Sequence, residues 1–101
     1  METKEILDTS VALDCSEGII TIFSLIEYPP CSERYFDIIF PNTKDYVEAV
    51  EIARKLRRKG TLVGAIDILI AAMAVNRSAP LRTKDSDFKQ IQAVVQELQL
   101  K

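Results

Sequence analysis

The longest apolar stretch of the chain lies in its second half and predicts a buried helix. Residues 62–75 read Leu-Val-Gly-Ala-Ile-Asp-Ile-Leu-Ile-Ala-Ala-Met-Ala-Val, and Asp67 carries the one charge among them. We predict a helix from Ala65 to about Asn76. An ionised carboxylate that leaves water without a partner is strongly destabilising. Asp67 therefore requires a helix N-terminus, a basic side chain or a metal ion nearby.

This predicted helix has two different faces. Small residues share one face with Asp67, so that another backbone or a site can approach closely: Ala71, Ala74 and Ser78. Bulky residues on the opposite face are expected to pack in the core: Ile66, Leu69, Ile70 and Met73.

A second helix is predicted just before this stretch. Asn42 or Thr43 can cap its N-terminus, and Gly60 follows its end. Acidic residues lie in its first turns and basic residues in its last, an order that complements the helix dipole. Residues spaced i, i+3, i+4 and i+7 form one apolar face: Ala49, Ile52, Ala53 and Leu56.

Shorter apolar runs between polar residues predict strands near 6–7, 19–21, 37–40 and 80–83. Shorter helices are expected at 9–16, capped by Thr9 or Ser10 and ended by Gly18, and at 22–27, 32–35 and 85–91. Residues 93–100 could form a last strand or a helical tail. Because strands alternate with helices, we predict an α/β fold with a largely parallel, helix-covered sheet.

Composition limits the size and the chemistry of the protein. The 101 residues suffice for one domain, and the net charge of -2 gives no general attraction to nucleic acid. Histidine is absent, which excludes Ser-His-Asp and Cys-His nucleophile systems. Cys15 and Cys31 are far apart, which argues against a zinc site and indicates reduced thiols in a cytoplasmic protein. No signal peptide or membrane span is predicted.

Four acids lie beside apolar segments rather than in charged ones. Asp8 follows a predicted strand, Asp85 lies shortly after another, and Glu27 and Asp67 belong to apolar runs. Ligands of open parallel sheets bind beyond the carboxyl ends of the strands. Carboxylates that converge there repel one another unless a cation is present. Oxygen ligands without histidine favour Mg²⁺ or Mn²⁺.

Taken singly, each acid also has a purely structural explanation. Asp8, Asp67 and Asp87 could cap helices, Asp85 could belong to a turn, and Glu27 could be a solvated surface charge. Their joint placement after apolar segments favours a site over these separate explanations.

Four segments in order resemble the motifs of PIN-domain nucleases, most closely the VapC-type toxins. They are Ile6–Ser10, Ile20–Glu27, Gly64–Ala72 and Leu81–Phe88. The resemblance implies a three-layer α/β/α sandwich with a mostly parallel central sheet, in one PIN-like domain over residues 1–101. It also implies an endoribonuclease that cleaves RNA phosphodiester bonds with metal-activated water.

The resemblance also implies the site residues. Asp8, Glu27, Asp67 and Asp85 would be the catalytic acids and would bind Mg²⁺ or Mn²⁺, and Asp87 would assist or replace Asp85. Supporting hydrogen bonds would come from Thr9, Ser10 and Thr83. Such proteins typically form homodimers and are silenced by an antitoxin protein that inserts a segment into the acidic groove.

One dense basic cluster spans residues 54–59, and phosphate contacts there would give salt-dependent RNA affinity. The candidate RNA backbone contacts are Arg54, Arg57, Arg58 and Lys84. The alternative is a solvated helix end whose charges complement the dipole.

Two other functions remain open at this point. Only residues 9–26 separate Asp8 from Glu27, fewer than is usual in the family, so a degenerate PIN-like module that binds RNA or protein without cleaving is one alternative. A receiver-like signalling domain, with Asp8 near a phosphoacceptor site, is the other. It explains neither Glu27 nor Asp67.

Overall fold

Four parallel strands form the centre of the molecule in the computed structural model, which describes residues 4–101. The strands are β1 (Ile6–Leu7), β2 (Glu17–Thr21), β3 (Tyr35–Ile39) and β4 (Leu81–Arg82). Their order across the sheet is β3-β2-β1-β4, and every pairing is parallel. Because parallel neighbours need crossover connections, helical segments run between the strands.

The helices are α1 (Thr9–Ala12), α2 (Ile22–Glu27), α3 (Thr43–Lys59), α4 (Ala65–Asn76) and α5 (Asp87–Gln92), with a 3-10 helix at Pro29–Glu33. The two predicted long helices are confirmed at α3 and α4. A reciprocal capping box between Asn42 and Asp45 starts α3, and Gly60 ends it in the left-handed conformation. None of the helices within residues 4–101 is long and apolar enough to cross a membrane.

Two apolar cores lie on opposite faces of the sheet. Adjacent side chains of β1 point to opposite faces, so Ile6 packs in the larger core and Leu7 in the smaller one. The larger core holds residues of α3, α4 and α5, such as Leu56, Ile70 and Phe88. The smaller core is covered by α1 and the 3-10 helix. This arrangement confirms the predicted helix-covered parallel sheet.

A buried ion pair joins the start of α3 to the end of α4. The Asp45 side chain is fully buried and accepts hydrogen bonds from Asn76 at 2.9 Å and from Arg77 at 3.0 Å, besides its capping bond to the Asn42 backbone. Burial acts to raise the pKa of Asp45. The bonds from Arg77, Asn42 and Asn76 outweigh it, so this pKa lies below its ordinary value.

Several local predictions were wrong. The first helix ends at Ala12, not near residue 16, and Asp8 rather than Thr9 or Ser10 is its N-cap residue. Gly18 does not stop a helix. It lies within β2 at φ 142°, where an added Cβ would come within 2.7 Å of the Leu7 side chain.

Two predictions about the C-terminal half also need revision. On α4, Ile66 is 46% exposed, whereas the small residues Ala71 and Ala74 are buried in the larger core. At Ala71 and Ala74 this face packs closely in the core, and only its Asp67 end is open to a site. After α5 the chain forms turns and a single parallel bridge between Leu100 and Leu81, neither a full strand nor a helix.

Candidate metal centre

The carboxyl edge of the sheet brings Asp8 beside Thr83. Asp8 follows β1 and is 8% exposed, and Thr83 follows β4, the neighbouring strand. The Thr83 hydroxyl donates to Oδ2 of Asp8 at 2.9 Å, and the Ser10 hydroxyl donates to the same oxygen at 3.0 Å. Within residues 4–101, no hydrogen bond reaches Oδ1 of Asp8. This carboxylate is thus oriented by two hydroxyls and keeps one oxygen free.

Asp8 has the backbone position of an N-cap but not the function of one. Its side chain makes no capping hydrogen bond to α1, although aspartate is a favoured cap residue. The predicted structural explanation for Asp8 is therefore wrong, because the carboxylate is held by Ser10 and Thr83 instead.

Asp67 lies in the first turn of α4 and is half-buried. The N-cap residue is Gly64, so Asp67 is not the cap that a structural explanation would make it. Its carboxylate meets those of Asp85 and Asp87, and one oxygen from each of the three lies within 4.8 Å of the others. We call Asp67, Asp85 and Asp87 the acidic cluster.

Asp85 in the loop before α5 and Asp87 at the first position of that helix are the other two members of the acidic cluster. The Asp85 backbone N–H donates to the Thr83 hydroxyl at 3.0 Å, and the Asp87 backbone N–H donates to Oδ1 of Asp85 at 2.9 Å. These local bonds fix the turn that was the alternative explanation for Asp85. They also connect Asp85 through Thr83 to Asp8, so the turn belongs to the site.

The electrostatics of the acidic cluster are repulsive. The pKa of Asp67 is raised to about 6, first by burial and then by the negative charges of Asp85, Asp8, Asp87 and Glu27, in that order. No basic side chain within residues 4–101 forms an ion pair with Asp67. Of the three possible sources of compensation, the described chain supplies the N-terminus of α4, where Asp67 lies in the first turn, but no lysine or arginine.

Glu27 lies beside the acidic cluster rather than in it. It is exposed at the end of α2, and its Oε1 is 3.1 Å from the Thr9 hydroxyl oxygen. That hydroxyl is also 2.8 Å from the buried Ser24 hydroxyl. The charge of Glu27 still contributes to the raised pKa of Asp67, so all five predicted acids act on one region.

Sequence reasoning missed two hydroxyl residues of this region. Thr21 and Ser24 are almost fully buried at the carboxyl end of β2 and in α2. Their signal is the presence of two hydroxyl side chains inside the otherwise apolar segment Ile19–Ile26, which precedes Glu27.

The predicted basic residues lie at the end of α3 and in the β4–α5 loop. Arg57 and Arg58 are exposed and have no ion pair within residues 4–101. Arg54 pairs with Glu51 at 2.9 Å, and Lys84 pairs with Asp14 at 2.9 Å. Because a short loop joins α3 to α4, Arg54 and Arg57 line a cavity of about 750 Å³ together with Ile68, the residue after Asp67.

The donor set of the site suits a hard divalent cation. Carboxylate oxygens supply every candidate ligand, and Mg²⁺ and Mn²⁺ prefer such ligands. Neither thiol contributes, because Cys31 is buried in the smaller core and Cys15 packs against that core.

Comparisons with known proteins agree with this architecture. The family model of the PIN domain matches residues 31–94, a range that includes the acidic cluster but not Asp8 or Glu27. No protein of curated function matches the sequence.

Several solved structures share the fold. VapBC2 from Rickettsia felis bound to a promoter DNA fragment superposes with a TM-score of 0.74 at 20% identity, over 96% of each chain. DNA-bound VapBC from Salmonella typhimurium gives 0.74 at 19% identity, over 99% of this chain and 98% of that chain. VapBC-5 from Mycobacterium tuberculosis, of a toxin–antitoxin family, gives 0.76 at 17% identity, over 98% of each. These likenesses show the fold, and the matching family model shows that the chain belongs to the PIN domain family.

Proposed function

We propose that this protein is a metal-dependent endoribonuclease, the toxin of a toxin–antitoxin pair. The observation that carries the proposal is the acidic cluster. Its three carboxylates converge at the carboxyl edge of a parallel sheet, and no basic side chain within residues 4–101 pairs with Asp67. Groups whose pKa is shifted by burial and by neighbouring charges cluster at functional sites, and binding of a divalent cation relieves such repulsion.

Asp67, Asp85 and Asp87 would hold Mg²⁺ or Mn²⁺, with Asp8 and Glu27 acting directly or through water. Such an ion lowers the pKa of a bound water and stabilises negative charge on a phosphoryl oxygen. Among the protein groups, Ser10 and Thr83 fix the orientation of Asp8, and Thr9 contacts Glu27. These hydroxyls would keep the carboxylates in place when substrate binds.

RNA would reach this edge of the sheet along the end of α3. Arg57 and Arg58 are exposed there without intramolecular partners in residues 4–101, and Arg54 and Lys84 are held only by exposed ion pairs. Exposed pairs of this kind are weak, so phosphate groups can replace the carboxylate partners. We therefore retain all four as candidate phosphate contacts.

The proposed partners follow from the family and from the structures that share the fold. Those structures are of VapBC complexes, and two of them contain DNA. We propose an antitoxin protein as the partner of this chain, a homodimer as its assembly and the cytoplasm as its location. We also propose that residues 1–101 form a single PIN-like domain.

An RNA cleavage assay tests the enzymatic proposal. The wild-type protein should cleave RNA in Mg²⁺ or Mn²⁺, and excess EDTA or the Asp67→Asn substitution should abolish cleavage. Asp37→Asn is the matched control, because Asp37 is an exposed acid in β3 outside the site and the charge change is the same. Cleavage that persists in EDTA or in Asp67→Asn would contradict the mechanism.

A non-catalytic PIN-like module is the second candidate function. The position of Glu27 favours it, because this residue is exposed and lies outside the acidic cluster. If the folded wild-type protein binds Mn²⁺ and RNA but does not cleave the RNA, the result would support this module instead of the nuclease.

A further inference from the structure

The Thr21 hydroxyl is the buried polar group for which the fold gives no explanation. Thr21 is the last residue of β2 and is 1% exposed. Its Oγ1 has no hydrogen-bond partner within residues 4–101, whereas the hydroxyls of Thr9, Ser10, Ser24 and Thr83 all have one. A buried hydroxyl without a partner destabilises the folded state, and native proteins rarely retain one.

Helix capping does not explain this threonine. Thr21 is the N-cap residue of α2, a position that favours threonine because its oxygen accepts from a backbone N–H. Here the side chain makes no capping bond. Packing does not require the hydroxyl either, because valine has nearly the same shape and would leave no polar atom unsatisfied.

The sheet register places Thr21 in one row with Asp8 and Thr83. Ile6 pairs with Ile19, so the same register extended by two residues sets Asp8 level with Thr21. Leu7 pairs with Arg82, which sets Asp8 level with Thr83 on the other side. The 2.9 Å bond between Asp8 and Thr83 agrees with this alignment.

The row faces α4 and the acidic cluster. Side chains two residues apart on a strand lie on the same face, so Asp8 follows Ile6 and Thr21 follows Ile19. Both isoleucines pack in or against the larger core, to which α4 contributes. Asp8, the middle member of the row, contributes to the raised pKa of Asp67, and Asp85 donates its backbone N–H to the Thr83 hydroxyl, so the row adjoins the acidic cluster.

We propose that Thr21 is a positioning residue of the metal centre, whose hydroxyl donates a hydrogen bond to a water molecule that the cation coordinates next to Asp8. The inference rests on the proposed function. Thr83 and Ser10 occupy Oδ2 of Asp8, so the water would contact Oδ1, the free oxygen of that carboxylate. The bound ion would thereby satisfy the one buried hydroxyl that residues 4–101 leave unpaired.

Calorimetric titration of the full chain with MnCl₂ tests the role of Thr21. The nearly isosteric Thr21→Val should bind Mn²⁺ about 10-fold to 100-fold more weakly than the wild type, as is usual when a group that supports a metal ligand is removed. Its melting temperature without metal should equal or exceed that of the wild type, because the unpaired hydroxyl is gone. A purely structural role would leave the Mn²⁺ affinity unchanged.

A second pair of variants serves if Thr21→Val does not fold. Thr21→Ser and Thr21→Ala both lack the methyl group and differ by the hydroxyl, so only the alanine variant should lose affinity. If the wild type and Thr21→Val, or Thr21→Ser and Thr21→Ala, bind Mn²⁺ with equal affinity, the role of Thr21 is overturned while the metal centre stands. Absence of Mn²⁺ binding by the wild type overturns the metal centre, and the inference with it.

Discussion

Replacing Asp67 by asparagine should stabilise the metal-free protein at neutral pH. The Asp67 carboxylate is half-buried, has no basic partner within residues 4–101 and faces the charges of Asp85, Asp8, Asp87 and Glu27. Asparagine has nearly the same shape and carries no charge. The substitution therefore removes both the cost of burying the charge and the repulsion, without leaving a cavity.

The magnitude follows from the pKa of Asp67. A rise from the ordinary value of 3.8 to about 6 corresponds to about 3 kcal/mol at most. Because Asp67 is partly exposed, solvent and salt screen the repulsion, and we expect a gain of about 1–2 kcal/mol. The pKa of Asp67 is higher in the folded than in the unfolded state. The wild type therefore has no penalty from this carboxylate below about pH 4, and the penalty grows as the pH rises to about 6.

Urea unfolding in EDTA at pH 5 and pH 7.5 measures this effect. The advantage of Asp67→Asn over the wild type should be larger at pH 7.5, and Asp37→Asn should show no such change. In saturating Mn²⁺ the order should reverse, because a ligand at 100 times its Kd stabilises the native state by about 2.7 kcal/mol. A destabilised Asp67→Asn protein, or an advantage that does not depend on pH, would refute the reasoning.

Two further predictions concern other parts of the molecule. Arg77→Ala leaves the fully buried Asp45 without its ionic partner, so it should lower the free energy of unfolding by about 3 kcal/mol. Arg54→Ala, which breaks an exposed pair, should change that free energy by less than about 1 kcal/mol. Equal effects of the two substitutions in urea unfolding would contradict the importance of the buried pair. Arg57→Gln with Arg58→Gln should weaken RNA binding in EDTA and reduce the salt dependence of log K by about 1–2; an unchanged salt slope in fluorescence titration would remove these residues from the RNA path.

The sequence predicted the elements that local pattern controls. Helix α3 has a capping residue, an apolar face and a closing glycine that indicate the same boundaries, and α4 is a long apolar run that begins after Gly64. The acidic cluster was predictable because Asp67 lies within an apolar run and the turn containing Asp85 and Asp87 adjoins a strand end. Even so, the structure groups Asp87 with Asp67 and Asp85, whereas Glu27 lies at the side.

Features that depend on long-range pairing could not be predicted. The strand conformation of Gly18 depends on pairing with β3 and on the close approach of Leu7, neither of which local sequence encodes. The row of Thr21, Asp8 and Thr83 depends on the register of three strands that are far apart in the sequence. The Asp45–Arg77 pair likewise joins residues from two different helix ends.

Location of Mn²⁺ in crystals of the wild-type protein tests the metal centre most directly. Anomalous scattering should show a peak at the carboxyl edge of the sheet, in contact with oxygens of Asp67, Asp85 and Asp87. The same experiment on Asp67→Asn crystals should show no peak or a much weaker one. Wild-type crystals with Mn²⁺ bound only elsewhere, or with no peak at the acidic cluster at saturating concentration, would contradict a metal-dependent nuclease.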